Sequence, residues 1–98
     1  MSVNPKFDKA LKRMKLIHDL KNADYSLDNN PYSNFELVAG ITGMGIDQVF
    51  LVQIANKIAR AGALLKEQKT PNHESLHDTR LDLAVYGAMW LSYFEDES

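Results

Sequence analysis

Residues 47–67 are the most apolar stretch of the chain, and they constrain its fold more than any other feature. Read as a helix, the stretch confines its polar side chains to a stripe about 100° wide: Gln53, Asn56, Lys57 and Arg60. One apolar side of this helix is formed by Phe50, Leu51, Ile54, Ile58 and Leu65. A helix that is apolar nearly all round is normally covered by other elements. We therefore predict a buried central helix, whose few polar side chains need partners.

Three other segments are predicted to be helical, and together they define an all-α fold. Residues 5–22 place apolar side chains at helical spacing, and Pro5 suits a first helical position. The Asn-, Asp- and Pro-rich residues 23–32 are predicted to be a loop. Ser33 and Glu36 match a capping box for a short helix that ends near Gly43 or Gly45. Residues 72–94 complete a compact bundle of about four helices in a single domain, 1–98.

Composition narrows the classes of function and partner. The absence of cysteine excludes disulfides, zinc–thiolate sites and thiol nucleophiles. A net charge of −2 argues against polynucleotide binding, because nucleic-acid-binding domains are usually basic. We find neither a continuous apolar span of membrane length nor a signal peptide, so we expect a cytoplasmic protein without membrane contact. The apolar surface exceeds what four short helices can cover, which favours a homo-oligomer, a dimer or higher.

Three carboxylates form the sharpest chemical pattern, since Glu74, Asp78 and Asp82 lie four residues apart on one helical stripe. The helix dipole accounts for acidic residues in the first turns, and so for Glu74 and partly for Asp78. It does not account for Asp82, which is predicted to point inward and to need a cation. Lys57 or Arg60 could supply that charge, and so could a metal ion such as Mg²⁺. Spacing alone leaves both alternatives open.

The order of these segments also resembles a known family. Its best motif is the run from Glu74 to Tyr86, Glu-Ser-x-x-Asp-Thr-x-x-Asp-Leu-Ala-x-Tyr, with support from residues 21–26, 34–36 and 56–60. Over about residues 21–88 the chain resembles the phage "nucleotide modification associated domain 1" family. That family is similar to the MazG-like all-α nucleoside triphosphate pyrophosphohydrolases, which associate as dimers or higher oligomers and use Mg²⁺.

The resemblance implies a role for each matching residue. Glu74, Asp78 and Asp82 would be metal ligands, and Lys57 and Arg60 would contact phosphate. The nucleotide would lie near Asp24, Tyr25 and Asn34 in the first half of the chain. In the apolar helix, Gln53 and Asn56 complete the expected nucleotide pocket beside the two cations.

One departure from the family leaves open whether the nucleotide is hydrolysed or only bound. The second metal-binding helix of the MazG-like group carries a Glu-Glu-x-x-Glu motif, whereas here residues 48–60 contain no carboxylate. Hydrolysis by metal-activated water needs several acidic ligands. We therefore expect a nucleotide-binding protein that recognises a nucleotide phosphate, with Mg²⁺-dependent pyrophosphohydrolysis if the acidic set is completed elsewhere. The alternatives are a non-catalytic sponge for a nucleotide immune signal and a helical protein-interaction module.

Overall fold

The protein is described by a computed structural model that covers residues 3–25, 30–67 and 73–96, apart from the side chains of residues 23–25 and 73–75. Its helices are α1 (Pro5–Tyr25), α2 (Ser33–Thr42), α3 (Ile46–Glu67) and α4 (His73–Tyr93). No strand occurs among the described residues. The all-α prediction and its four helices are therefore confirmed.

Local signals account for most of the helix ends. Asn4 caps α1 by accepting a hydrogen bond from the Phe7 backbone N–H at 3.0 Å, and Pro5 takes the first helical position. At the other end, α1 runs to Tyr25 and so includes the start of the predicted loop. The helix α2 ends, as predicted, before Gly43, whose φ of 76° is left-handed and suits glycine.

The predicted capping box at the start of α2 is wrong. The N-cap residue is Tyr32 rather than Ser33, and the Tyr32 side chain makes no capping hydrogen bond. Glu36 instead accepts hydrogen bonds from Asn30 Nδ2 at 2.6 Å and from the Tyr93 hydroxyl at 2.9 Å. Asn30 also accepts the Tyr32 backbone N–H at 3.0 Å, so an Asx-type turn leads into the helix. The carboxylate thus connects α2 to α4 rather than closing its own helix.

The core lies where α2, α3 and α4 meet, and aromatic rings dominate it. Phe50 is fully buried, and its ring stacks on Phe35 with centroids 4.2 Å apart. Trp90 and Tyr93 of α4 also pack against Phe50, with ring centroids 6.2 and 6.0 Å away. The indole of Trp90 donates a hydrogen bond to Asp47 at 2.7 Å, so its polar edge has a partner.

Burial of α3 is much less complete than its composition predicts. Val49 and Phe50 are buried, but the side chains of Leu51, Ile58 and Leu65 are more than half exposed. Within the described residues only α2 and α4 pack on α3, while α1 packs on α4 alone. The pattern identified an apolar helix correctly, but the described elements of the chain are too few to cover it.

Candidate functional site

Asp82 lies at the centre of the candidate site, where it joins three helices through charge. Lys21 of α1 donates a hydrogen bond to one carboxylate oxygen at 3.0 Å, and Lys57 of α3 donates to the other at 3.3 Å. The side chains of Asp82 and Lys57 are each 26% exposed, whereas that of Lys21 is 55% exposed. We call Lys21, Asp82 and Lys57 the charge triad. It contains two cations and one anion, so its net charge is positive.

Two opposing effects act on the pKa of Asp82. Burial is the larger single effect and disfavours the charged carboxylate. The hydrogen bonds and positive charges of Lys21 and Lys57 act in the opposite direction and together outweigh it. The pKa of Asp82 therefore lies below its ordinary value, and the carboxylate is ionised at neutral pH.

The second lysine is also held by an aromatic ring. The Lys57 ammonium lies 5.5 Å from the centre of the Tyr86 ring, within the range of a cation–π interaction. The Tyr86 ring in turn packs edge-on against Phe35 of the core, with centroids 5.7 Å apart. Lys57 is thus fixed by Asp82 and Tyr86, whereas Lys21 is the more exposed of the two lysines.

A half-open cavity of about 120 Å³ adjoins the charge triad between α1, α4 and the start of α2. Its apolar wall is formed by Ile17, Pro31, Val85, Tyr86 and Met89. Its polar side chains are His18, Lys21, Asn22, Ser33, Asn34 and Asp82. An apolar wall with a few converging polar groups is the usual character of a small-molecule site.

The predicted site residues are only partly brought together. Asp82 meets Lys57, one of the two cations considered for it, and Asn34 lines the adjoining cavity. Arg60, Asn56 and Asp78 are exposed, and Gln53 is half-buried without lining this cavity. Arg60 forms no ion pair with a carboxylate in the described parts of the chain.

The remaining predicted residues fall where no side chain is described. Asp24 and Tyr25 form the last turn of α1 rather than a loop, and Glu74 lies in the first turn of α4. Their assigned roles stay predictions.

The acidic stripe was also tested for its fit to Mg²⁺. Both oxygens of Asp82 already accept hydrogen bonds from lysines, so a metal ion bound there would lie beside two ammonium groups that repel it. Within the described residues, no three His, Asp or Glu side chains form a group able to hold a metal. As arranged, Asp82 suits the role of a counter-ion better than that of a metal ligand, and the magnesium site stays a prediction.

Sequence reasoning missed two residues of the site, Lys21 and Tyr86, as partners of the predicted pair. Lys21 is 61 positions from Asp82 along the chain. The only available signal was its place near the end of α1 in a strongly basic segment. Tyr86 follows Asp82 by four residues and so lies on a neighbouring part of the same helical face.

Comparisons with protein-family models, curated proteins and solved structures return no match to this chain. Its resemblance to the phage family therefore stays a prediction. Among the described helices, none is by itself long and apolar enough to cross a membrane. Only α2 and α3 taken together reach that length and composition, and their axes bend by 109° at the break.

Proposed function

We propose that this protein binds a nucleotide, with the phosphate held by Lys21 and Lys57 and the base or sugar in the adjoining cavity. The observation that supports this proposal most is the net positive charge of the charge triad. It lies next to a cavity that has both apolar and polar walls. An anionic ligand would find two ammonium groups already positioned by one carboxylate.

The two lysines keep N–H donors that could bind a phosphate, which supports this part of the proposal. Each ammonium has three N–H donors, and each contributes one of them to Asp82. Phosphate oxygens are strong acceptors for such charged donors. Because Lys57 is three-quarters buried, water screens its charge less than that of a surface lysine.

The cavity suits one part of a nucleotide rather than the whole ligand. Its volume of about 120 Å³ is below the several hundred Å³ usual for a complete drug-sized ligand. Tyr86 and Met89 offer an apolar surface for a base, while Asn22 and Asn34 bring amide groups to the same wall. Amides can donate and accept, as recognition of a base edge requires.

Binding without cleavage is the form of this proposal that the charges favour. Pyrophosphohydrolysis would need acidic side chains free to position metal ions, whereas Asp82 is engaged by two lysines. A binding protein of this kind would retain its ligand intact, as a nucleotide sponge does. The exposed apolar faces of α3 and α4 favour a homo-oligomer as its working form.

The proposal is tested by calorimetric titration with the four dNTPs, the four NTPs, cyclic dinucleotides and ADP-ribose, each with Mg²⁺ and with EDTA. We expect at least one ligand to bind in EDTA and to be recovered intact. Lys57→Met and Lys21→Met should each weaken that binding at least tenfold, since the stem is retained and only the charge is lost. Lys15→Met is the matched control, because Lys15 is an exposed lysine of α1 that pairs with Asp19 instead.

A comparison of two acidic residues separates phosphate binding from a metal centre. If Asp82 is a counter-ion, Asp82→Asn leaves nucleotide binding in EDTA detectable and Asp78→Asn has no effect. If the acidic stripe holds Mg²⁺, both substitutions abolish a binding that occurs only with the metal, and release of pyrophosphate would establish the enzyme. Absence of binding to every ligand would contradict the proposal and leave the interaction module.

A further inference from the structure

We infer that two copies of this chain pack through the outer face of α4, antiparallel and around a two-fold axis near Gly87. This inference is independent of the proposed nucleotide site. It concerns the side of α4 that faces away from the core, which we call the outer stripe: Arg80, Ala84, Gly87, Leu91 and Phe94.

The outer stripe is continuous and uncovered. Its four members inside α4 fall within an arc of about 60° on the helical wheel, and Phe94 directly follows the last residue of the helix. All five are exposed, and the exposed fractions of the large apolar side chains are 69% for Leu91 and 59% for Phe94. Asp82, Tyr86 and Met89 lie on the opposite side of α4, toward α1 and α3. Contact through the outer stripe therefore leaves the cavity beside the charge triad open.

Charge is distributed unequally along this stripe. At its N-terminal half, α1 and α4 form a groove whose rim contains Lys6, Lys9, Arg13, His77 and Arg80 and whose described lining includes no acidic residue. These four lysines and arginines form no ion pair with any carboxylate in the described segments. At the C-terminal half, a second groove is lined by Gly87, Trp90, Leu91 and Phe94 together with the acidic Asp47 and Glu95.

The positions of these charges match a second copy of the same chain. Arg80 lies as many residues before the midpoint between residues 87 and 88 as Glu95 lies after it. Glu95 stands in the turn that directly follows α4, where its backbone N–H donates to the Ser92 carbonyl at 3.0 Å. When two copies of α4 run antiparallel around that midpoint, Arg80 of each faces Glu95 of the other, and Ala84 faces Leu91. A two-fold interface of this kind must be complementary to itself, and the outer stripe satisfies that condition.

The centre of the stripe permits a close approach. Gly87 has no Cβ, and a Cβ built there would meet no atom within 4 Å in its own chain. Ala84 and Ala88 flank it and are also exposed. Small residues at a crossing point let two helix backbones come close, so that Leu91 can pack against the partner helix.

The decisive experiment compares Gly87→Glu with Gly62→Glu. Gly62 is the matched control, since it is an exposed glycine inside α3 and its added Cβ would also meet no atom within 4 Å. Both substitutions raise helix propensity, so both proteins should fold, which circular dichroism verifies. Sedimentation velocity and light scattering should give wild type and Gly62→Glu twice the protomer mass of 11.1 kDa. Gly87→Glu should be monomeric, because it places two carboxylates against each other at the axis.

Charge reversal supplies a second test that does not depend on the glycine. Arg80→Glu and Glu95→Arg should each raise the dimer dissociation constant about tenfold or more, and combining them should restore it, because the ion pairs reform with exchanged signs. A monomeric wild type would overturn the inference, as would a dimer that tolerates Gly87→Glu. Dissociation by Gly62→Glu alone would assign the interface to α3 and contradict the assignment to α4.

Discussion

The helix α4 contacts α2 and α3 in one way and α1 in another. Toward α2 and α3, α4 packs on a cluster of aromatic rings around the fully buried Phe50. Toward α1, contact is made through side-chain ends: Lys21 with Asp82, and Arg13 with the His77 ring nitrogen at 2.9 Å. Cavities and grooves lie between these contacts.

This difference indicates which part of the molecule is more stable and in which part the proposed site lies. Burial of large apolar side chains contributes more to folding than exposed ion pairs do. The α1–α4 junction, which we define as the contacts between those two helices, is therefore the less stable part of the molecule. It is also the part that offers space, polar groups and excess positive charge to a ligand. Binding regions are commonly found in such parts of low local stability.

The largest expected effect is the loss of the aromatic core. Phe50→Ala should lower the free energy of unfolding by about 3–5 kcal/mol, since it removes a fully buried ring and leaves a cavity. Phe7→Ala is the matched control in α1, where the ring is 57% exposed, and should change stability by less than about 0.5 kcal/mol. Urea unfolding measures both. Similar losses for the two variants would contradict the proposed difference between the regions.

A smaller loss is expected at the α1–α4 junction. Asp82→Asn should lower the free energy of unfolding by about 1 kcal/mol, between the values for exposed and buried ion pairs, because Lys57 loses its counter-ion. Asp78→Asn, one turn earlier and exposed, should change it little. A loss at Asp82 as large as that at Phe50 would show that charge, not aromatic packing, dominates the fold.

Acid should remove this contribution of Asp82. Because its pKa is lowered in the folded protein, the stabilisation is complete above the ordinary aspartate pKa and is lost as pH falls through the folded value. The difference in unfolding free energy between wild type and Asp82→Asn should thus stay constant from neutral pH to about pH 5 and close below about pH 4. Urea titrations of both proteins along that pH series measure it. A difference independent of pH would mean that Asp82 does not act through its charge.

The smallest effect is expected for an exposed pair within α1. Lys15 and Asp19 are 3.1 Å apart with side chains 79% and 55% exposed. Lys15→Ala should therefore leave the free energy of unfolding almost unchanged. Thermal unfolding at low and high salt measures this. A loss above that of Asp82→Asn would reverse the proposed order of the ion pairs.

Sequence patterns predicted the local parts of this structure and missed those that depend on distant neighbours. The four helices, the end of α2 near Gly43 and the need of Asp82 for a cation follow from periodicity, backbone preference and the cost of an unpaired charge. The sequence did not choose Lys57 over Arg60 or a metal ion as that cation. Lys21 could not be chosen in the same way, because its distance from Asp82 depends on how α1 lies on α4. Glu36 likewise does not cap α2 as expected but accepts hydrogen bonds from Asn30 and Tyr93.

The burial of α3 shows a second limit of the sequence. Periodicity identifies which faces of a helix are apolar, but not whether the same chain supplies a neighbour for each face. Leu51, Ile58 and Leu65 stayed exposed for that reason. The same applies to the outer stripe of α4, whose apolar character is visible in the sequence, whereas only the fold shows that its side chains are exposed.

Hydrogen–deuterium exchange with and without nucleotides tests the central claim most directly, since it observes the junction and the core in one measurement. Without ligand, amides of α1 should exchange faster than those around Phe50 in α3. With the dNTP and NTP panel in EDTA, a bound nucleotide should slow exchange in residues 17–22, 31–34 and 82–89 and leave residues 58–66 unchanged. Protection confined to other segments, or none with any nucleotide, would contradict a phosphate site at Lys21, Asp82 and Lys57.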